Sequence, residues 1–208
     1  MAESGYMEPT AQVSWDSGYP ELFYSVLFHP IQTFKAIAVE KEPGPRLLLY
    51  ALLSVVLVSA AAPIIQLSST GGSPIALAVA IPISTLIGVF VWAFVALVIA
   101  MLSYAFSGQT CYRTFFVLSG LATLPWLFMA PASLLKVGIG AIGVILCAVL
   151  GLCIWLWSVL LFAQALVVTY SMTAERVMIL LAMPFVMTLI FCGWIFGFFN
   201  NIGNLVPH

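Results

Sequence analysis

Residues Ile75–Phe106 read IALAVAIPISTLIGVFVWAFVALVIAMLSYAF, an apolar run with no Asp, Glu, Lys, Arg or His. Wound as a helix at about 1.5 Å per residue, it exceeds the roughly 30 Å hydrocarbon thickness of a bilayer. The pattern extends on both sides. From Leu47 to Val206 the charged residues are Arg113, Lys136, Glu175 and Arg176, all at seams between apolar runs. A soluble core of this size needs a charged exterior, whereas lipid needs an apolar one with backbone groups paired inside helices. Composition agrees, at 63% hydrophobic and 6% charged, far from soluble norms. The expected fold is an all-α polytopic membrane bundle. A chain of 208 residues has room for one membrane domain and a short extramembrane segment.

Five runs reach spanning length: Leu47–Leu67, Ile75–Phe106, Thr114–Leu135, Val137–Tyr170 and Val177–Phe199. The second and fourth are too long for one perpendicular crossing and too short for two, so each is read as one long helix. Basic residues orient the bundle. Lys35, Lys41 and Arg46 precede the first span, Arg113 follows the second and Arg176 precedes the fifth, against Lys136 alone on the other side. That asymmetry predicts a cytoplasmic N-terminus and an outside C-terminus. The expected organisation is an acidic flexible tail over residues 1–20 and a cytoplasmic amphipathic segment over 21–46. A five-helix membrane domain over 47–199 and an outside tail over 200–208 complete it. Residues 1–46 contain no uninterrupted apolar stretch of signal-peptide type, so the first span is expected to direct insertion.

Within 21–46, Ile31, Phe34, Ile37 and Ala38 recur at helical spacing, and Pro30 suits a first helical position. The reading is a short amphipathic helix on the cytoplasmic face, its Phe34 side among lipid headgroups. A helix packed on the end of the bundle is the alternative. Pro63, Pro82, Pro125, Pro131 and Pro184 fall in or near spans, where each removes a backbone donor. In lipid the freed carbonyl must be met by a neighbouring element or a Ser/Thr hydroxyl, so these prolines predict a packed bundle. Pro125 and Pro131 should kink or interrupt the third helix. Gly120, Gly193 and Gly197 are candidate close-packing positions, the last two in a small-xxx-small spacing.

Motifs for chemistry are scarce. Gly138-Ile-Gly140-Ala-Ile-Gly143 matches the dinucleotide pattern, but it opens an apolar run with no acidic residue before Glu175, so close helix packing is the better account. The histidines are His29 and His208, and Cys111, Cys147, Cys153 and Cys192 fit neither zinc nor redox spacing. No catalytic residue, cofactor or metal ligand is assigned, and an enzyme is not expected. Proton- and ion-coupled transport generally uses intramembrane ionisable groups, which the span interiors lack.

The order of several short motifs resembles the Yip-domain family, membrane proteins related to Ypt/Rab-GTPase-interacting proteins. Leu27-Phe-His-Pro30-Ile-Gln-Thr33-Phe34 is similar to the Pro-x-x-Thr/Ala-Phe element of its bacterial branch. Glu42-Pro-Gly44-Pro45 precedes the first span where eukaryotic members carry an acidic-Leu-aromatic-Gly-Pro element. Gly108 stands at the family's glycine-containing turn, Gly120-Leu-Ala-Thr-Leu-Pro125 keeps the spacing of Gly-Tyr-x-x-x-Pro, and Met172-Thr-Ala-Glu175-Arg176 matches the loop before the last span. Leu121 replaces the family tyrosine and the acidic-Leu-aromatic part is absent, which favours the bacterial branch over GTPase binding. The resemblance covers about Leu22–Phe199. It implies a non-enzymatic integral membrane protein of trafficking or membrane organisation, in a bacterial inner membrane.

The expected function is therefore a scaffold or adaptor that docks partners on its cytoplasmic face through Pro30, Phe34, Lys35, Ile37 and Arg113. The alternative is a small uncoupled permease or channel subunit. Expected partners are the lipid bilayer, a membrane or cytoplasmic protein and further copies of the chain, but no nucleic acid.

Overall fold

The computed structural model describes residues 18–39, 43–70, 73–108 and 111–183, and every regular element among them is helical. Two short helices, α1 (Tyr19–Phe28) and α2 (Pro30–Val39), precede α3 (Pro45–Thr70) and α4 (Pro74–Ser107). Then come α5 (Tyr112–Leu121), a 3-10 turn (Leu124–Phe128), α6 (Met129–Gly138) and α7 (Ala141–Tyr170). A further helix, α8, occupies 174–183, where the described residues end.

Among the described residues, four stretches are long and apolar enough to cross a membrane: Pro45–Ile65, Pro74–Ser107, Tyr112–Lys136 and Ala141–Tyr170. The protein is a multi-pass membrane protein. The fifth expected span begins in α8, but most of it, with Pro184, Gly193, Gly197 and the 200–208 tail, lies outside the described residues. So do residues 1–17, Lys41 and Glu42. The second and fourth spans are each one continuous helix, of 34 and 30 residues, hence about 51 and 45 Å long. Ser73 caps α4 by accepting from the Ala76 N–H at 3.2 Å. Gly108 closes it in the left-handed region at φ 69°, its N–H bonded to the Tyr104 carbonyl at 2.8 Å.

The third span is the centre of the bundle. In its most apolar window 56% of residues are buried by protein, against 17% in α4 and in α7. Helices α3, α4 and α7 all touch α5. Trp92 of α4 meets Phe116 edge-on at 5.6 Å, and Phe162 of α7 meets Phe115 in the same way at 5.5 Å.

At Pro63 and near Pro125, a backbone carbonyl left without its helical donor is met by a serine hydroxyl from a neighbouring helix. Pro63 has no N–H to give the Ser59 carbonyl one turn back, and Ser84 Oγ of α4 donates to it at 3.0 Å. At Pro125 the α-helical ladder gives way to the 3-10 turn, and the Trp126 N–H turns to the Thr123 carbonyl at 3.0 Å. Ala122, 1% exposed, thereby loses the donor a continuous helix would supply. Ser158 Oγ of α7 donates to its carbonyl at 2.7 Å. Pro131 behaves differently from expectation. It lies in the first turn of α6, where an N–H would be unpaired anyway, and it is exposed. Pro125 marks the break, and Pro131 helps to start the helix that follows.

The segment before the first span also departs from the interfacial reading. Phe34 and Ile37 are 0% exposed and seat α2 against α7 and α5. A folded helix junction offers an aromatic ring close-packed contacts that a wet headgroup layer does not. Helix α1 departs from expectation too, because it begins within the segment assigned to the tail. Gly18 is its N-cap, Pro20 lies in its first turn with Glu21, and Leu22, Val26 and Leu27 are buried. The helix ends at His29, whose carbonyl accepts from Thr33 Oγ1 at 2.9 Å as Pro30 begins α2.

Candidate functional site: the charged end of the bundle

The up-and-down path brings the start of α3, the end of α4, the start of α5, the end of α7 and the start of α8 to one end. Helix α2 packs there against α5 and α7. Beneath it one core cluster joins Phe34, Ile37, Leu47, Phe115, Tyr170 and Val177 from five elements besides α4. The Phe115 and Tyr170 rings lie 5.8 Å apart. Lys35, Arg46, Arg113, Glu175 and Arg176 are exposed at this end, whereas Lys136 stands in the last turn of α6 at the other. Charge is thus gathered on a surface whose underside is fixed in the core.

The structure divides the expected docking residues. Lys35 and Arg113 are on the surface and Pro30 is half-buried, while Phe34 and Ile37 lie underneath as anchors and present nothing to a partner. Helix α1 adds a second anchor. Ser54 Oγ donates to the Tyr50 carbonyl at 2.8 Å, which leaves Tyr19 OH to donate to Ser54 Oγ at 3.2 Å. The Tyr19 and Tyr50 rings are 5.5 Å apart. Burial raises the Tyr19 phenol above its ordinary value of 10.0.

Close approaches hold the helices together along the bundle. A Cβ at Gly120 would stand 2.8 Å from Ala51 Cβ and 3.0 Å from the Ala51 carbonyl oxygen, so α5 meets α3 at van der Waals limits. At Gly88 it would overlap Ser59 Oγ, which makes Ser84-x-x-x-Gly88 the small-residue face of α4 toward α3. At Gly143 it would overlap the Leu135 carbonyl, locking α6 to α7. The dinucleotide-like glycines thus form a helical hairpin, with Gly140 at φ 61° as the turn. Sequence reading missed Ser84/Gly88, Ser158 and Tyr19. The Ser84-x-x-x-Gly88 spacing was present in the chain, whereas the partners of Ser158 and Tyr19 lie 36 and 35 positions away.

On the flank of this end, α4, α5 and α7 enclose a groove of about 400 Å³ lined by Leu97, Met101, Tyr104, Cys111, Tyr112 and Tyr170. Among the described residues, Cys111, Cys147 and Cys153 are free thiols, and no three His, Cys, Asp or Glu side chains are placed to hold a metal ion.

A family model for the Yip1 domain matches residues 24–196, from within α1 to beyond the described part of α8. No curated protein and no solved structure matches the chain. With most of its length in that match, and with helices that suit a membrane, the chain belongs to the Yip1 domain family.

Proposed function

We propose that the protein is a non-enzymatic integral membrane adaptor of membrane organisation or trafficking, displaying its charged end to cytoplasmic or membrane protein partners. The observation that carries this reading is the anchoring of α2. With Phe34 and Ile37 wholly buried, Lys35 is held on a fixed surface at the same end as Arg113. Lipid tails do not distinguish partners by charge, but such a surface does. In this reading the chain crosses the membrane five times, the charged end is cytoplasmic, and the host membrane is a bacterial inner membrane. The five-to-one distribution of Lys and Arg supports that orientation.

The test is crosslinking in native membranes followed by mass spectrometry of captured proteins. Lys35→Glu with Arg113→Glu should lose the specific partners while the protein still inserts and folds, because both side chains are exposed. Phe34→Ser with Ile37→Ser should lose them by releasing α2. Unchanged capture by the charge-reversed protein refutes the docking surface. Flux through reconstituted vesicles, absent from empty ones, would point to a permease instead.

A further inference from the structure

We propose that the groove between α4, α5 and α7 binds one acyl chain of an anionic phospholipid, with the lipid phosphate held at Arg113. Four observations support this. The groove opens on the outer, lipid-facing flank of α4, where Leu97, Met101 and Tyr104 are 46%, 66% and 54% exposed. In a bilayer the medium that meets this flank is hydrocarbon. Its length also suits a chain: from Leu97 to Tyr104 it runs about 10 Å along α4, ending about one turn short of Gly108. It therefore descends from the membrane surface into a single leaflet.

The lining changes character along that path. Leu97 and Met101 line the deep part, while Tyr104, Tyr112 and Cys111 gather toward the helix ends. Tyrosine suits the headgroup level, where one end of the ring is apolar and the hydroxyl is wet. Arg113 follows the lining residue Tyr112 directly in the first turn of α5 and is exposed, within one residue of the groove and at its surface end. A guanidinium forks onto phosphate oxygens, and the positive end of the α5 dipole has the same sign. Among the described residues, no acidic group lines the groove. An apolar slot with a cation at its surface end complements an anionic lipid better than a zwitterionic one.

The inference shares Arg113 with the adaptor reading but does not depend on a protein partner, because it is read on the isolated protein. The experiment is native mass spectrometry of detergent-purified protein titrated with phosphatidylglycerol or phosphatidylcholine of identical acyl chains. Wild type should retain one phosphatidylglycerol about fivefold more strongly than phosphatidylcholine, the ratio given by ~1 kcal/mol per basic residue at an anionic headgroup. Arg113→Gln should remove that preference and Arg176→Gln should leave it. Met101→Trp, at an exposed position that needs no core rearrangement, should lower retention of both lipids by filling the slot. Equal retention of the two lipids by wild type overturns the proposal. So does a preference that survives Arg113→Gln, or retention indifferent to Met101→Trp. A groove filled by another part of the chain would retain neither lipid, and that result overturns it as well.

Discussion

Replacing Ser84 by Ala removes one hydroxyl from α4 and leaves the Ser59 carbonyl of α3 without a donor. The backbone offers no substitute, since the residue one turn on is Pro63. Lipid offers none either, because hydrocarbon has no hydrogen to give. A buried carbonyl deprived of its partner costs about 1–3 kcal/mol. Interhelical hydrogen bonds in membranes average about 0.6 and reach about 1.7 kcal/mol. With a bond of 3.0 Å to a half-buried residue, the expected loss is about 1 kcal/mol. The decisive comparison repeats the substitution in a Pro63→Ala background. There the introduced alanine supplies the missing N–H, so Ser84→Ala should cost about 0.3 kcal/mol or less, a coupling of at least about 0.5 kcal/mol. Equilibrium unfolding in mixed micelles, titrated with a denaturing detergent, measures all four corners of the cycle. If Ser84→Ala costs the same in both backgrounds, serine is not standing in for the proline's lost donor, and the reasoning fails.

Three further outcomes follow from the same geometry. Ser158→Ala should destabilise the protein by about 1–2 kcal/mol, because Ala122 is almost wholly buried and its carbonyl accepts from Ser158 Oγ in place of the Trp126 N–H; unfolding in micelles checks it. Gly120→Ala should also destabilise, since overpacking costs about 1–3 kcal/mol and exceeds the gain of about 1 kcal/mol in helix propensity. The Cβ meets Ala51 backbone as well as side chain, so Ala51→Gly should rescue only part of the loss. Tyr19 sets an alkaline limit on α1: with its folded value raised, the docked form holds its proton more tightly, and its contribution is complete below pH 10.0 and lost as pH rises through the higher folded value. A fluorophore on α1 should report release at alkaline pH, and Tyr19→Phe should abolish that step.

The membrane class and the two long helices are legible in the chain, because spanning length and the absence of charge are local properties; the second of them starts at Ala141 and not at Val137, since Val137 and Gly138 end α6 and Gly140 makes the turn. The need to satisfy proline-freed carbonyls is legible too, since it follows from covalent structure. Which hydroxyl answers at Pro63 and at Pro125 is not, because Ser84 lies 25 positions from Ser59 and Ser158 lies 36 from Ala122. Phe34 and Ile37 show the same limit at the candidate site. Their spacing marks one apolar face, but a pattern of apolar residues does not distinguish headgroups from protein as the surface it meets. Helix α1 escaped because its aromatic and polar residues mask the buried positions Leu22 and Val26, although Gly18, Pro20 and Glu21 mark a helix start.

The adaptor account stands on the charged end facing the cytoplasm, and topology mapping tests that most directly. Reporter domains fused after Gly5 and after His208 should report opposite compartments, the first cytoplasmic and the second outside. A single cysteine at Lys35, in a protein cleared of native thiols, should be labelled only from the cytoplasmic side, and one at Lys136 only from the outside. Both fusion reporters in one compartment, or Lys35 and Lys136 labelled from the same side, would contradict the account.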